Sequence, residues 1–150
     1  MRHDVRTTIE IEAPPLAVWA VLVDLAAYPT WNPFITSALG TVEIGGRLDL
    51  RLEPPGGRRL RFRPLVTQVE EARAFEWLGS LGVRGLLDGR HRFELRETAL
   101  GTELVHSERF EGLLVRAARR SLDGPTRAGF ESMNLALRER VQATRAVPRP

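Results

Sequence analysis

The amino-acid sequence predicts an α+β domain in which a curved antiparallel sheet of about seven strands wraps around one long C-terminal helix, with two short helices after the first strand. Two observations lead to this prediction. Between about residue 48 and residue 110, segments that alternate apolar and polar residues are separated by turn residues. From Pro125 to Gln142, apolar residues recur at helical spacing instead. Consecutive strands with helices kept apart from them are typical of an antiparallel sheet.

The first strand and the two short helices are predicted from the first 34 residues. Residues 6–11 alternate in polarity, as a half-buried strand does. Pro14-Pro15 then begins a segment with apolar residues at helical spacing, because proline is tolerated in a first helical turn. Two further prolines within residues 28–34 end that helix and leave a turn or a second short helix, which carries Trp31 and Phe34.

The hairpins in the middle of the chain follow from alternation and turn chemistry. Residues 48–52 and residues 60–63 alternate around the turn at residues 54–57. Pro64 indicates a bulge, because proline cannot donate to a sheet ladder. The next strand begins near Trp77, and a loose loop follows from residue 80 to about residue 88.

The last two strands place polar side chains on their apolar faces. Those faces consist of His91, Phe93 and Leu95 on one strand and Leu104, His106, Glu108 and Phe110 on the other. A four-residue hairpin loop between the strands pairs His91 with Glu108 and Phe93 with His106. Trp77, on the preceding strand, is expected on the other side of His91.

The long helix is predicted over residues 125–142, with Pro125 in its first turn. Its inward face carries Phe130, Met133, Asn134, Leu137 and Val141. The amide of Asn134 needs hydrogen-bond partners on that face, so it either contacts a ligand or caps a strand carbonyl. Residues 143–150 are predicted to be a frayed tail, and residues 1–150 to form a single domain.

Composition excludes several classes of protein. The chain has no cysteine, so thiol nucleophiles, thiolate metal ligands and disulfides are excluded. The 22 basic residues are nearly balanced by 19 acidic ones. The resulting net charge of +3 does not favour a nucleic-acid partner. The N-terminus resembles no secretory signal and no apolar run is long enough to span a bilayer, so a cytoplasmic protein without integral membrane association is expected.

One cluster of basic residues remains open to two interpretations. Arg116, Arg119 and Arg120 stand close together in the sequence. They either contact phosphates or anionic lipid, or form a solvated helix face.

The trio of His91, His106 and Glu108 is the clearest candidate for chemistry. A carboxylate buried without a partner is costly, so Glu108 beside an imidazole is the expected arrangement. The pair of His91 and Glu108 either orients a ligand carbonyl or hydroxyl, shuttles protons as acid and base, or is a structural pair that satisfies itself or reaches solvent near a cavity mouth. A metal site is not expected because a third well-placed ligand is missing, and no cofactor is predicted.

Five sequence features together resemble the START-like, or SRPBCC (Bet v 1-like), superfamily and its polyketide cyclase/dehydrase-like branch. They are Ala13-Pro14-Pro15 to Val18-Trp19, Tyr28-Pro29-x-Trp31-Asn32-Pro33-Phe34, Gly45-Gly46, Gly89-x-His91-x-Phe93-Glu94-Leu95, and Gly101-Thr102 to His106-Ser107-Glu108-x-Phe110. The resemblance implies a helix-grip fold whose internal cavity holds a small hydrophobic molecule. It supports binding better than any particular chemistry.

Three functions are therefore weighed. The leading hypothesis is binding or transport of a lipid, quinone or polyketide-like molecule between the sheet and the C-terminal helix, with an apolar loop at residues 81–87 as a gate. The alternative is a cyclase/dehydratase-type enzyme using the trio as acid and base groups; the third is a protein-interaction module with a filled core. The expected ligand contacts are Trp31, Phe34, Trp77, His91, Phe93, His106, Glu108, Phe110 and Asn134. The ligand and the oligomeric state are not predicted.

Overall fold

The computed structural model describes residues 1–146 of the chain and contains eight strands and three α-helices within them. In chain order these are β1 (Arg2–Ile11), α1 (Pro15–Leu22), a 3₁₀ turn (Leu25–Ala27), α2 (Tyr28–Trp31), β2 (Ile35–Leu39), β3 (Asp49–Leu52), β4 (Leu60–Phe62), β5 (Leu65–Glu70), β6 (Ala74–Ser80), β7 (Asp88–Thr98), β8 (Gly101–Glu111) and α3 (Val115–Ala146).

The strands form two antiparallel sheets. The larger has the order β1-β8-β7-β6-β5 and the smaller the order β2-β3-β4, and an isolated bridge between Arg47 and Leu65 connects them. Helix α3 packs against β1 and β8. The predicted α+β helix-grip architecture is thus confirmed, with the long helix packed against the larger sheet.

The strand count differs from the prediction in two places. Strand β2 (Ile35–Leu39) was not expected, because its five residues follow a proline-rich segment and carry little alternation. Pro64 lies between β4 and β5, which belong to different sheets, so it ends a ladder rather than producing a bulge within one strand. The result is eight strands instead of about seven.

Helix α3 begins ten residues earlier than predicted, at Val115, and Pro125 lies inside it. Proline removes one hydrogen bond to the carbonyl four residues earlier, at Ser121. Because Ser121 is exposed, water can bond that carbonyl, and the helix continues. At the other end residues 143–146 are helical, and residues 147–150 of the predicted frayed tail lie outside the described residues.

The buried apolar residues form one core between the sheets and the helices. Strand β1 pairs with β8 from Arg2 onward, so His3 belongs to the ladder, opposite Phe110. Over residues 1–146, no helix combines the length and the apolar character needed to cross a membrane.

Candidate functional site

The hairpin of β7 and β8 positions the three titratable side chains that the sequence singles out. Its register pairs His91 with Glu108 and Phe93 with His106, as predicted. The ladder extends to a pair between Thr98 and Gly101, so the loop between the strands has two residues rather than four. His91 and His106 are buried, and the Glu108 side chain is 12% exposed. The cluster therefore lies almost entirely out of water.

Aromatic rings enclose the two imidazoles. The Trp77 ring stacks on His91 at a centroid distance of 4.5 Å, which confirms the predicted neighbour. Phe130 of α3 stacks on His106 at 3.9 Å. The Phe93 ring lies beside both imidazoles, with centroid distances of 4.9 Å to His91 and 4.4 Å to His106. These walls remove solvent from the imidazoles, which disfavours their charged forms.

A chain of polar contacts runs from Glu108 through the sheet to β1. Nδ1 of His91 lies 3.4 Å from Oε2 of Glu108, and the Nε2 atoms of His91 and His106 are 2.8 Å apart. Nδ1 of His106 is 2.8 Å from Oδ1 of Asn134. The Asn134 amide also donates to the Thr7 hydroxyl at 2.9 Å, and that hydroxyl donates to the His106 carbonyl at 3.3 Å. We call these five side chains the relay.

The Thr7 end of the relay determines where its protons lie. The hydroxyl of Thr7 has one proton, which it gives to a carbonyl oxygen, so it accepts from the Asn134 NH₂ group. The Asn134 oxygen therefore faces His106, and Nδ1 of His106 must carry the hydrogen. In neutral His106 the Nε2 atom is then an acceptor, so Nε2 of His91 donates to it.

The hydrogen-bond directions also determine the protonation state of Glu108. Neutral His91 uses its only hydrogen on His106, so its Nδ1 atom is an acceptor facing the Glu108 carboxyl. A protonated Glu108 is the form that satisfies this contact. At 3.4 Å the contact is longer than a strong hydrogen bond, and a small shift of the carboxyl would tighten it. The hydrogen bonds from Thr7 to His91 then each have one donor and one acceptor without any buried charge, and the Glu108 contact needs only that small shift.

The ionisation of these groups agrees with that arrangement. Burial raises the pKa of Glu108 to about 8 and lowers the pKa of His91 to about 3. Burial also lowers the pKa of His106, and the neighbouring His91 lowers it further, against a smaller opposing effect of the Asn134 hydrogen bond. At neutral pH the relay therefore holds one carboxylic acid and two neutral imidazoles.

An apolar cavity of about 90 Å³ adjoins the relay at Glu108. It lies between the two sheets and α3. Its lining consists of Phe34, Leu52, Pro54, Leu60, Phe62, Gly79, Ser80, Leu81, Leu87, Gly89, Glu108, Phe110, Leu122 and Thr126. Glu108 is the only ionisable residue in this lining, so a ligand in the cavity would meet a titratable group there.

Gly89 makes room for the carboxyl group. A Cβ atom at this position would overlap Oε1 of Glu108, whereas the other oxygen, Oε2, faces His91. Because Gly89 and Glu108 both line the cavity, Oε1 is the oxygen available there. In the protonated acid whose hydrogen points at His91, Oε1 is a carbonyl-type acceptor.

The structure brings most of the predicted site residues together, in two groups. Phe34, Glu108 and Phe110 line the cavity. The residues behind it, in or against the relay, are Trp77, His91, Phe93, His106 and Asn134. Trp31 is in neither group; it packs edge-on against Tyr28 at 5.1 Å.

Sequence reasoning missed two members of the site. Thr7 has the same parity on β1 as the inward residues Val5 and Ile11, which marks it as a polar residue on a buried face. Gly89 carries no comparable signal, because its role depends on the rotamer of Glu108 on the neighbouring strand. Within residues 1–146, no group of three His, Asp or Glu side chains is placed to hold a metal ion.

Comparison with known proteins agrees with the architecture. The family model described as polyketide cyclase / dehydrase and lipid transport matches residues 2–145. None of the curated proteins matches the sequence. The chain superimposes on the Zhui aromatase/cyclase from Streptomyces sp. R1128 with a TM-score of 0.79 at 16% identity, covering 98% of both chains.

Two further solved structures have the same fold. Protein MLL2253 from Mesorhizobium loti superimposes with a TM-score of 0.73 at 19% identity, covering 95% of this chain and 98% of that one. The protein Ara h 8.0201 superimposes with a TM-score of 0.66 at 15% identity, covering 95% and 99%. At these identities the likeness concerns the fold alone.

Proposed function

This chain belongs to the polyketide cyclase / dehydrase and lipid transport family, and from that premise we propose that it binds a small apolar molecule bearing a hydroxyl group. The apolar body of the ligand occupies the cavity and its hydroxyl donates a hydrogen bond to Oε1 of Glu108. The observation that supports this proposal is the direction of the relay, which leaves a neutral acceptor at the cavity wall.

The relay favours a hydroxyl over a carbonyl. The proton of Glu108 is directed at His91, so a ligand carbonyl would have to compete for it. A phenol or enol instead brings its own donor to Oε1. A ligand carboxylate would place a second acceptor, and a charge, against that oxygen in an apolar enclosure, which is strongly disfavoured.

Ligand entry requires movement of the cavity wall. A cavity of about 150 Å³ holds benzene, and the cavity here measures about 90 Å³. Leu81 and Leu87 line it from the two ends of the loop between β6 and β7, and Leu81 is exposed. We expect residues 81–87 to open for the ligand, and amide hydrogen exchange in this loop to slow when a ligand binds. Equal exchange with and without ligand would refute the gate.

Paired aromatic ligands test the hydroxyl preference. Calorimetric titration with phenol and with benzene, and with naphthol and naphthalene, should show tighter binding of each hydroxylated partner. One hydrogen bond gives a preference of about 2- to 10-fold. Glu108→Leu should remove the preference, whereas Glu108→Gln should retain it, because its NH₂ donates to His91 and its oxygen remains an acceptor.

Glu111→Gln, an exposed position on the same strand, is the matched control and should bind like the unaltered protein. The proposal fails if none of the aromatics binds, or if Glu108→Leu keeps the preference for the hydroxylated partner.

A second function, dehydration of a β-hydroxy ketone, is favoured by the protonated state of Glu108. The carboxyl would first turn its O–H from His91 to the ligand; its proton would then pass to the leaving hydroxyl as the C–O bond breaks and water departs. The resulting carboxylate would take the α-proton of the ligand, which forms the double bond and restores the acid. Hydrogen bonding to the relay would hold the carboxyl in place through both transfers.

The aldol adduct of benzaldehyde and acetone tests this reaction, because its dehydration to benzalacetone is followed by absorbance. Glu108→Gln separates the two functions: it is expected to keep binding and to lose turnover. Turnover that persists in Glu108→Gln would exclude Glu108 as the acid and base. If the unaltered protein binds ligands without turnover, only the binding function is supported.

A further inference from the structure

Four exposed apolar side chains cluster on two neighbouring loops beside the cavity. On the loop between β6 and β7, Leu81 is 47% and Val83 is 70% exposed. On the turn between β8 and α3, Leu113 is 82% and Leu114 is 47% exposed. Contiguous apolar exposure of this kind marks an interaction surface, whereas scattered single residues do not.

Backbone hydrogen bonds hold the two loops together. The amide of Leu113 donates to the carbonyl of Gly85 at 3.2 Å, and the amide of Leu114 donates to the carbonyl of Leu86 at 2.9 Å. The apolar side chains are therefore presented as one surface. Leu81 belongs both to this surface and to the cavity lining, so the surface lies at an edge of the cavity.

Basic side chains follow the apolar ones along both segments of the chain. Arg84, Arg116, Arg119 and Arg120 are exposed, and in the described part of the chain none of them forms a salt bridge. The neighbouring acidic residues are fewer.

The acidic residues near this surface are Asp88, whose carboxylate accepts from the Gly85 amide, exposed Glu111, and Asp123, which lies one helical turn after Arg119 and 3.5 Å from His3. Cations in the first turns of a helix oppose the helix dipole, so Arg116 and its neighbours do not serve the stability of α3.

We propose that these eight residues, Leu81, Val83, Arg84, Leu113, Leu114, Arg116, Arg119 and Arg120, form a docking face for an anionic lipid surface. The apolar side chains enter the boundary between headgroups and acyl chains, and the guanidinium groups contact the lipid phosphates.

A second copy of the chain is a poorer occupant of the docking face. A twofold contact would bring the four arginines of one copy against those of the other, where like charges repel. An anionic bilayer supplies both the apolar layer and the negative charge. The inference goes beyond the proposed ligand binding and explains how an apolar ligand would reach the cavity without crossing water.

Vesicle flotation tests the docking face. The unaltered protein should float with vesicles of equal parts phosphatidylcholine and phosphatidylglycerol, and remain unbound with phosphatidylcholine alone or at high salt. The triple variant Arg116→Gln, Arg119→Gln, Arg120→Gln should partition more weakly by about fivefold per arginine, on the order of a hundredfold in total. Leu113→Ser should also weaken binding.

Matched controls lie on other faces. Leu100→Ser, at the exposed tip of the β7–β8 hairpin, and the pair Arg140→Gln, Arg145→Gln should float like the unaltered protein. Thermal melting confirms that each variant folds, which is expected because the altered side chains are exposed. The inference is overturned if the protein binds neither vesicle, if it binds both equally, or if the triple variant binds as well as the controls.

Ligand binding by the same triple variant separates this inference from the proposed function. Phenol binding should be unchanged by the three arginine substitutions, because none of them lines the cavity. If the triple variant loses vesicle binding and keeps phenol binding, the docking face is supported. If the unaltered protein binds phenol but does not bind anionic vesicles, the docking face is refuted and the proposed ligand binding is not.

Discussion

Replacing Glu108 with glutamine should make the protein markedly more resistant to alkaline pH. The carboxyl has a pKa of about 8 in the folded protein, raised by burial from its ordinary value of 4.5. The folded state therefore keeps a proton that the unfolded chain loses between these two values. Its contribution to stability is fully present below pH 4.5 and is lost as the pH rises through 8. Glutamine has no proton to lose and retains the relay geometry.

The magnitude follows from proton linkage. For a group with these two pKa values, the free energy of unfolding falls by about 1 kcal/mol up to pH 5 and by about 4 kcal/mol up to pH 8. The difference, about 3 kcal/mol between pH 5 and pH 8, is absent in Glu108→Gln. His91 and His106 change stability in the opposite direction, because their folded pKa values are lowered, so stability is lost as pH falls below the ordinary histidine pKa. Their effect is the same in both proteins and cancels in the comparison.

Urea unfolding of both proteins at pH 5 and pH 8 measures this difference directly. The glutamine variant should gain about 3 kcal/mol on the unaltered protein between the two pH values, or on the order of 10 °C in melting temperature. Parallel stability profiles would refute the reasoning, since they would mean that Glu108 is already ionised in the folded protein at pH 7 and that the relay runs differently.

Three further predictions concern the same cluster. Gly89→Ala should displace the Glu108 carboxyl and remove the preference for phenol over benzene in calorimetry, because its Cβ would occupy the place of Oε1. Asn134→Leu should lower the free energy of unfolding by about 1–3 kcal/mol, measured in urea, because it leaves the His106 ring N–H without a partner. Nitrogen-15 NMR of the side chains at pH 7 should show His106 protonated at Nδ1 and His91 at Nε2, and a doubly protonated ring in either would contradict the neutral relay.

Controls for two of these variants are present in the chain. Gly124→Ala, whose Cβ would meet open space, should leave phenol binding unchanged. Asn134→Asp should retain an acceptor for His106 while adding a charge, so it should raise the pKa of that imidazole in the NMR titration. If Gly124→Ala also removed the preference for phenol, the effect of Gly89→Ala could not be assigned to displacement of the Glu108 carboxyl.

Much of the fold was determined by local sequence. Alternation along β7 and β8 predicted their register down to the pair of His91 with Glu108, because side chains alternate between the two faces of a strand and a slip by one residue would expose the apolar face. Helical spacing placed Asn134 on the inward face of α3 for a similar reason.

Other elements depended on contacts that no local pattern records. Local propensity predicts that α3 starts at Pro125, but the helix includes ten residues before it. The helix tolerates this proline because the carbonyl that loses its hydrogen-bond partner is at the surface. Strand β2 is only five residues long and exists because β3 pairs with it. At Pro64 the chain passes from the smaller sheet to the larger one. This change depends on which strands pair with β4 and with β5.

At the site, the sequence by itself determined that four polar side chains turn inward: His91, His106, Glu108 and Asn134. Tertiary structure decided that they touch, that Thr7 completes the chain and that Glu108 keeps its proton. Those properties depend on distances of about 3 Å between atoms on three strands and a helix, and on the solvent that the surrounding rings exclude. Alternation specifies only the face of an element on which a side chain lies, so the protonation of the relay could be read only from the assembled fold.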